Sequence, residues 1–192
     1  MRRIGVFGAS FNPPTLGHAD VINQALPHFD EILLVPSLSH PFGKILVSLE
    51  HRLAMLQLFL DPWKNLPPEK NIQISLIEKN LYEGNQNAKP IYTFDVLCAL
   101  ERHSAELSFI LGPDNSDPII WQKFYRYQEI EKKWPLFHAH ENIPIHSTLV
   151  REVCLKYAAE DLQRQKALIE LVGKSIADYI EKHKLYRENP HA

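Results

Sequence analysis

Residues 3–18, Arg3-Ile4-Gly5-Val6-Phe7-Gly8-Ala9-Ser10-Phe11-Asn12-Pro13-Pro14-Thr15-Leu16-Gly17-His18, decide how the rest of the chain is read. The short apolar run 3–7 ends at Gly8, which predicts a buried strand. From Leu16 onward, Ala19, Val21, Ile22, Ala25 and Leu26 recur at helical spacing, and Pro27 stops the pattern. Between strand and helix lies a turn of small residues. Such a turn offers free backbone N–H groups and the positive end of a helix dipole to an anion. Gly8 would let the main chain pass close to a ligand. Thr15 and His18, three apart, face the same side of the helix. The two common phosphate loops, GxxxxGK[ST] and GxGxxG, are both absent here.

Working outward, strand and helix patterns alternate about five times. Strands are predicted at 31–35, 71–77, 107–111 and 135–139. Helices are predicted at 49–60 with Ser48 as cap, at 93–103, at 118–132, from Ser147, and at 162–185. Residues 78–91 are polar, contain Gly84 and Pro90, and read as a long loop. The expected fold is α/β and Rossmann-like. It is a doubly wound, mainly parallel sheet of five to six strands, with helices on both faces and a helical C-terminus. Ligands of such sheets sit at the carboxyl ends of the strands, so the loops after residues 7, 35, 77 and 111 are the places to search.

Composition sets the outer bounds. With 192 residues, 45% hydrophobic and 23% charged, the chain is expected to form one globular domain over 1–192. Lys and Arg number 21 against 23 Asp and Glu, which argues against a nucleic-acid partner. Cys98 and Cys154 lie far apart and suggest neither a disulfide framework nor a Cys-rich metal site. After Met1-Arg2-Arg3 the strand pattern begins at once, without a signal-peptide core. No uncharged apolar run approaches the ~20 residues of a membrane span. A soluble, cytoplasmic protein with no membrane partner is expected, and homo-oligomerisation is compatible with the composition. His138 and His140 alternate on a strand with Glu141 beside them, but lack a third ligand at clear spacing, so no protein-held metal is expected.

Near the other end stands Ile145-His146-Ser147-Thr148-Leu149-Val150-Arg151. Ser147 or Thr148 can cap a helix whose first turn presents Arg151, which makes a second cradle of hydroxyls, orphan N–H groups and a guanidinium. Alone it reads equally as a plain capped helix with a surface arginine. Taken together, the two segments resemble the nucleotidylyltransferase superfamily with its [HT]xGH and ISSTxxR signatures. Thr15-Leu16-Gly17-His18 keeps the first, and Ile145–Arg151 keeps the second with His146 in place of the first serine. The middle of the chain is similar to the nicotinate/nicotinamide mononucleotide adenylyltransferase family. Val35-Pro36-Ser37 with His40-Pro41-Phe42-Gly43-Lys44 looks like its substrate-phosphate loop, and His51-Arg52-Leu53-Ala54-Met55 like its Arg-bearing helix. Tyr92-Thr93 resembles a pair near the pyridine ring. Phe109-Ile110-Leu111-Gly112-Pro113-Asp114 followed by Trp121 resembles a strand, GxD and a ring-stacking tryptophan. Asn12, Thr15 and a short 140–147 connection depart from the pattern of many bacterial members.

The resemblance implies adenylyl transfer from ATP to nicotinate or nicotinamide mononucleotide, releasing pyrophosphate in NAD biosynthesis. It casts His18, Lys44 and Arg151 as catalytic. ATP would meet Gly8, Ala9, Ser10, Phe11, Thr15 and His18 on one side. Gly112, Asp114, Ser147, Thr148 and Arg151 would meet it on the other. The mononucleotide would meet Asn12, Ser37, Lys44, Arg52, Tyr92, Thr93 and Trp121, and Mg2+ would arrive on the ATP phosphates. Two alternatives remain at this level. Thr15–Asp20 and Phe29-Asp30-Glu31 also look similar to pantetheine-phosphate adenylyltransferases, and a non-catalytic nucleotide sensor could keep the same cradle.

Overall fold

The computed structural model describes residues 1–38, 46–84, 89–101, 105–158 and 161–187. The chain runs β1 (Arg2–Ala9), α1 (Leu16–Ala25), β2 (Glu31–Pro36), α2 (Leu49–Phe59), β3 (Asn71–Ile74) and α3 (Ile77–Glu83). It continues through α4 (Thr93–Leu100), β4 (Ala105–Leu111) and the single turns α5 (Pro113–Ser116) and α6 (Pro118–Trp121). The last elements are α7 (Tyr127–Lys133), β5 (Leu136–His138), α8 (Ser147–Lys156), α9 (Leu162–Val172) and α10 (Lys174–Lys182).

The five strands are all parallel, in the order β3-β2-β1-β4-β5. Alternation along each strand divides the core in two. Phe7, Ile32, Leu34 and Ile110 face one layer, built by Val21 and Ile22 of α1, Met55 and Leu56 of α2, and the buried stripes of α8, α9 and α10. Ile4, Val6, Leu33, Val35, Leu107, Phe109 and Leu111 face the other, where Phe94 and Leu97 of α4, Trp121, Ile130 and Trp134 pack. Helices therefore cover both faces, as the pattern of apolar runs predicts. Among the described residues no helix is long and apolar enough to cross a membrane.

Three predicted stretches differ. The strand predicted over 71–77 stops at Ile74, and the predicted loop 78–91 begins with α3. There Ile77 and Leu81 pack against the second layer, and the buried Glu78 carboxylate accepts from the Leu38 N–H at 2.8 Å. Burial pushes that carboxyl up to about 7. The helix predicted over 118–132 stops after Trp121 and resumes at Tyr127; Arg126, just before it, is left-handed (φ 58°) and lays its guanidinium 3.7 Å from the centre of the Phe94 ring. The terminal helix predicted over 162–185 breaks at Gly173, so that α10 folds back alongside α9.

The α8–α9–α10 corner is tied by a buried arginine. Arg164 donates from Nε to Glu181 at 2.6 Å and from Nη1 to the carbonyls of Cys154 and Tyr157 at 2.8 and 3.1 Å. A buried charge holds its place only when paired and hydrogen-bonded in this way.

Gly173 makes the corner possible. Its φ of 79° and ψ of 163° lie in a region essentially reserved for glycine, and a Cβ there would meet nothing within 4 Å. Gly173→Ala should therefore destabilise the fold by about 1–3 kcal/mol through backbone strain alone. Urea unfolding followed by circular dichroism measures it, and an unchanged midpoint would refute the account.

Candidate functional site

The site starts from the cap of α1. The Thr15 hydroxyl accepts from the His18 N–H at 3.5 Å, and His18 Nδ1 accepts from the Thr15 N–H at 3.1 Å. This is a capping box with histidine at the place usually taken by Glu or Gln. Because Nδ1 accepts, the neutral ring carries its proton on Nε2, which is left as a donor. The ring packs against Phe11 and Phe7, with centroids 5.0 and 6.1 Å away. Burial holds its pKa down to about 4, against an opposing pull from Asp114, so His18 is neutral at pH 7. Phe11, fully buried, occupies the left-handed region (φ 46°). Strained backbone of this kind clusters at functional sites.

The second cradle docks directly on this corner. Thr15 Oγ1 donates to the Ile145 carbonyl at 3.1 Å. A Cβ on Gly17 would stand 2.2 Å from that same oxygen, so only glycine lets the two backbones meet. Further on, Ser147 Oγ donates to the Pro13 carbonyl at 2.8 Å, and Arg151 Nη1 donates to the Asn12 carbonyl at 2.8 Å. Arg151 Nη2 reaches Thr148 Oγ1 at 3.0 Å. The N-terminus of α8 has no side-chain cap, and only the Leu149 N–H of its first turn returns to His146. The Ser147 and Thr148 N–H groups therefore stay available beside the Arg151 guanidinium. His18, the α8 N-terminus and Arg151 form one donor-rich floor at the carboxyl ends of β1 and β4, of the kind that suits an anion.

Several predicted ligand residues are held by contacts within the protein. Arg52 is 1% exposed, and its donors go to the carbonyls of Val47, Ser10 and Ser37 at 3.1, 2.8 and 2.7 Å. It clamps the turns after β1 and β2 together through Nε and Nη1. Asn12 is likewise buried; its carboxamide oxygen accepts from the Val47 N–H at 3.2 Å and from the Tyr186 hydroxyl at 3.1 Å. Trp121 is buried between Phe109 and Phe124, with Nε1 donating to Glu131 at 2.8 Å, so here it is core rather than an open stacking face. The exposed aromatic surface nearby belongs to Tyr92, whose ring lies 4.7 Å from that of Tyr125.

The other predicted residues within the described chain stand at the ends of their elements. Gly8, Ala9 and Ser10 close β1, where a Cβ on Gly8 would meet only Phe109 at 3.8 Å. No neighbour in the protein demands a glycine there. Ser37 follows β2 and donates its N–H to the Ala9 carbonyl at 3.0 Å. Gly112 follows β4 and precedes the exposed Asp114, while Thr93 opens α4. Lys44 lies outside the described residues.

One grouping escaped the sequence. His146 Nδ1 sits 3.0 Å from Asp114 Oδ1, and Nε2 sits 2.9 Å from Glu141 Oε1. The third partner that Glu141 lacked in the strand pattern is supplied by Asp114, brought from a separate strand, and the histidine is His146 rather than His138 or His140. The only local signal was a histidine standing where the signature has serine.

Residues 6–153 match the cytidylyltransferase-like family model. A "Probable nicotinate-nucleotide adenylyltransferase" of Myxococcus xanthus is 30% identical, the match covering 96% of this chain and 94% of that protein. The nicotinate-nucleotide adenylyltransferase of Bacillus subtilis is 28% identical, with 97% and 99% covered. The structure of a Plasmodium falciparum nicotinic acid mononucleotide adenylyltransferase complexed with NaAD superposes with a TM-score of 0.71. At 19% identity, over 97% of this chain and 98% of that one, it shares the fold. On the family match, the near full-length relatives and the joined signature motifs, this chain belongs to the cytidylyltransferase-like family and, within it, to the nicotinate-nucleotide adenylyltransferases.

Proposed function

We propose that the protein transfers the adenylyl group of ATP to nicotinate mononucleotide, forming the dinucleotide and pyrophosphate. The observation that carries this reading is the docking of the α8 cradle on the Thr15–His18 corner, which places two anion-binding helix starts and Arg151 at one point. The mononucleotide phosphate is an anion at neutral pH and attacks the α-phosphorus in line, so no covalent intermediate and no general base are required. Catalysis is positioning together with stabilisation of charge on the phosphoryl oxygens and the leaving pyrophosphate.

The residue roles follow from donors. His18 offers Nε2–H to the α-phosphate as a neutral donor, held in that tautomer by Thr15. Bound phosphate charge raises the ring's proton affinity, so the group can meet developing negative charge with a stronger hydrogen bond. Ser147 and Thr148 N–H groups with Arg151 are assigned to the β- and γ-phosphates, and the exposed Asp114 to the ATP ribose. Mg2+, arriving on the ATP phosphates, would supply positive charge that neutralises part of the triphosphate. Lys44 is assigned to the attacking phosphate. The N–H groups of the first turn of α4, at Thr93, favour a carboxylate over an amide on the pyridine ring.

Coupled pyrophosphate release with nicotinate mononucleotide, nicotinamide mononucleotide and phosphopantetheine tests the reading. The nicotinate substrate should give the highest kcat/KM and the amide a lower, measurable one. Turnover of phosphopantetheine alone, or of none, would reject it.

His18→Ala should lower kcat by roughly 10²–10³-fold, the loss typical of one transition-state donor, with a smaller change in ATP affinity. In the free protein the His18 ring should titrate near 4 by NMR rather than near its ordinary 6.5, since burial disfavours the charged form. Turnover within a few-fold of the parent would remove the assigned role.

Arg151 binds ground state and transition state alike, so Arg151→Ala should raise the ATP KM and lower kcat/KM. Arg151→Lys should recover only part, because one ammonium cannot replace the guanidinium's contacts with Asn12, Thr148 and a phosphate together. An ATP KM unchanged in the alanine variant would reduce Arg151 to a helix brace.

A further inference from the structure

We propose that Tyr186 is a positioning residue for ATP: its hydroxyl, arriving from 174 residues further along the chain, sets the aim of the Arg151 guanidinium through Asn12. The role rests on the assignment of Arg151 to the ATP phosphates.

The path is short and made of hydrogen bonds. The Tyr186 hydroxyl donates to Asn12 Oδ1 at 3.1 Å, and the Val47 N–H donates to the same oxygen at 3.2 Å. The Asn12 carbonyl in turn accepts from Arg151 Nη1 at 2.8 Å. Asn12 is 2% exposed, so its carboxamide oxygen must find its donors within the protein. Burial pushes the Tyr186 hydroxyl above its ordinary range, which keeps it protonated and a donor. Arg151 and Arg52 both lie close enough to act on its titration. Among the described residues, the other hydrogen bond of Arg151 is to Thr148 Oγ1 at 3.0 Å, three residues away on its own helix. A contact within α8 moves with α8. It is the bond to Asn12 that fixes the guanidinium relative to the turn after β1.

The chain delivers this hydroxyl by a strained route. The helix α10 ends in a Schellman motif, in which the Leu185 N–H donates to the Ile180 carbonyl at 3.0 Å and the Lys184 N–H to the Glu181 carbonyl at 3.1 Å. Lys184 holds the left-handed place usually given to glycine (φ 54°). Leu185 is then buried in the layer that α8, α9 and α10 build, and Tyr186 is left-handed as well (φ 59°). For a bulky residue that conformation is an outlier, and it persists only where the surroundings over-determine it. The bond to Asn12 is the specific contact that this strained turn secures.

The test is equilibrium binding of ATP with Mg2+, measured by titration calorimetry without mononucleotide. Tyr186→Phe keeps the ring and removes only the donor. It should raise the ATP Kd by roughly three- to tenfold, the net worth of about one hydrogen bond. Tyr179→Phe is the control. It removes a hydroxyl from α10 that pairs with His51 Nδ1 at 3.0 Å, and it should leave the ATP Kd unchanged. General loosening of α10 would move both variants alike. In an Arg151→Ala background, Tyr186→Phe should cost no further affinity, because the group it aims is gone. Three results would each overturn the role: an ATP Kd in Tyr186→Phe equal to the parent's, an equal rise in Tyr179→Phe, or the full loss repeated in the Arg151→Ala background. The two phenylalanine variants decide the matter even where the alanine variant binds too weakly to measure. Absence of pyrophosphate release with nicotinate mononucleotide would count against the adenylyl-transfer reading instead, and would leave the binding result standing.

Discussion

The carbonyl of Ile145 lies where a side chain on residue 17 would be, and Thr15 donates its hydroxyl to that same oxygen. Everything functional depends on this close approach between segments 130 residues apart in the chain. Without it, α1 and α8 would each present an isolated helix start with its own N–H groups. With it, both helix starts and Arg151 converge, and the bonds from Ser147 to Pro13 and from Arg151 to Asn12 close around them. The glycine of the TxGH signature is therefore an interface residue, and its threonine serves two purposes, capping α1 and seating the second motif.

Electrostatics divides the work between the two cationic-type residues. His18 is kept uncharged by burial against Phe7 and Phe11, with its tautomer set by Thr15. A neutral donor discriminates weakly between the ground states of anions but strengthens as charge develops on a reacting oxygen. Arg151 carries its charge throughout and is preorganised by two short bonds. Arg52, equally charged, is directed inward onto three carbonyls and holds the turns that frame the floor. Backbone acceptors left unpaired in such turns would each cost about 1–3 kcal/mol, which is the reason a fully buried guanidinium is tolerated there.

The parallel sheet was legible because buried strands such as 3–7, 31–35 and 107–111 are continuous apolar runs, and helices such as 16–26 carry a clean apolar face. Breaks were less legible. Arg126 turns left-handed although arginine carries no such local preference, and its place is stabilised by the Phe94 ring, which arrives from another helix. α3 forms from a polar stretch whose helicity is supported by packing of Ile77 and Leu81 and by the bond that the Leu38 N–H donates to Glu78. Gly173 was readable as a breaker and was absorbed into a longer helical pattern because apolar spacing continues through it.

Local spacing alone determined the α/β alternation, the two signature motifs, the cap at Ser48 and the shared face of Thr15 and His18, since each depends on residues near one another in the chain. Tertiary structure decided what each polar or aromatic side chain faces. Arg52, Asn12 and Trp121 carry the right chemistry for a ligand, yet meet Ser37, Tyr186 and Glu131 instead, partners 10 to 174 residues away. Asp114, Glu141 and His146 look unrelated in the chain and meet within hydrogen-bond distance. A side chain's chemistry is written in its residue type, but a buried donor must take whichever acceptor the fold brings to it, and that choice is made only when distant segments close together.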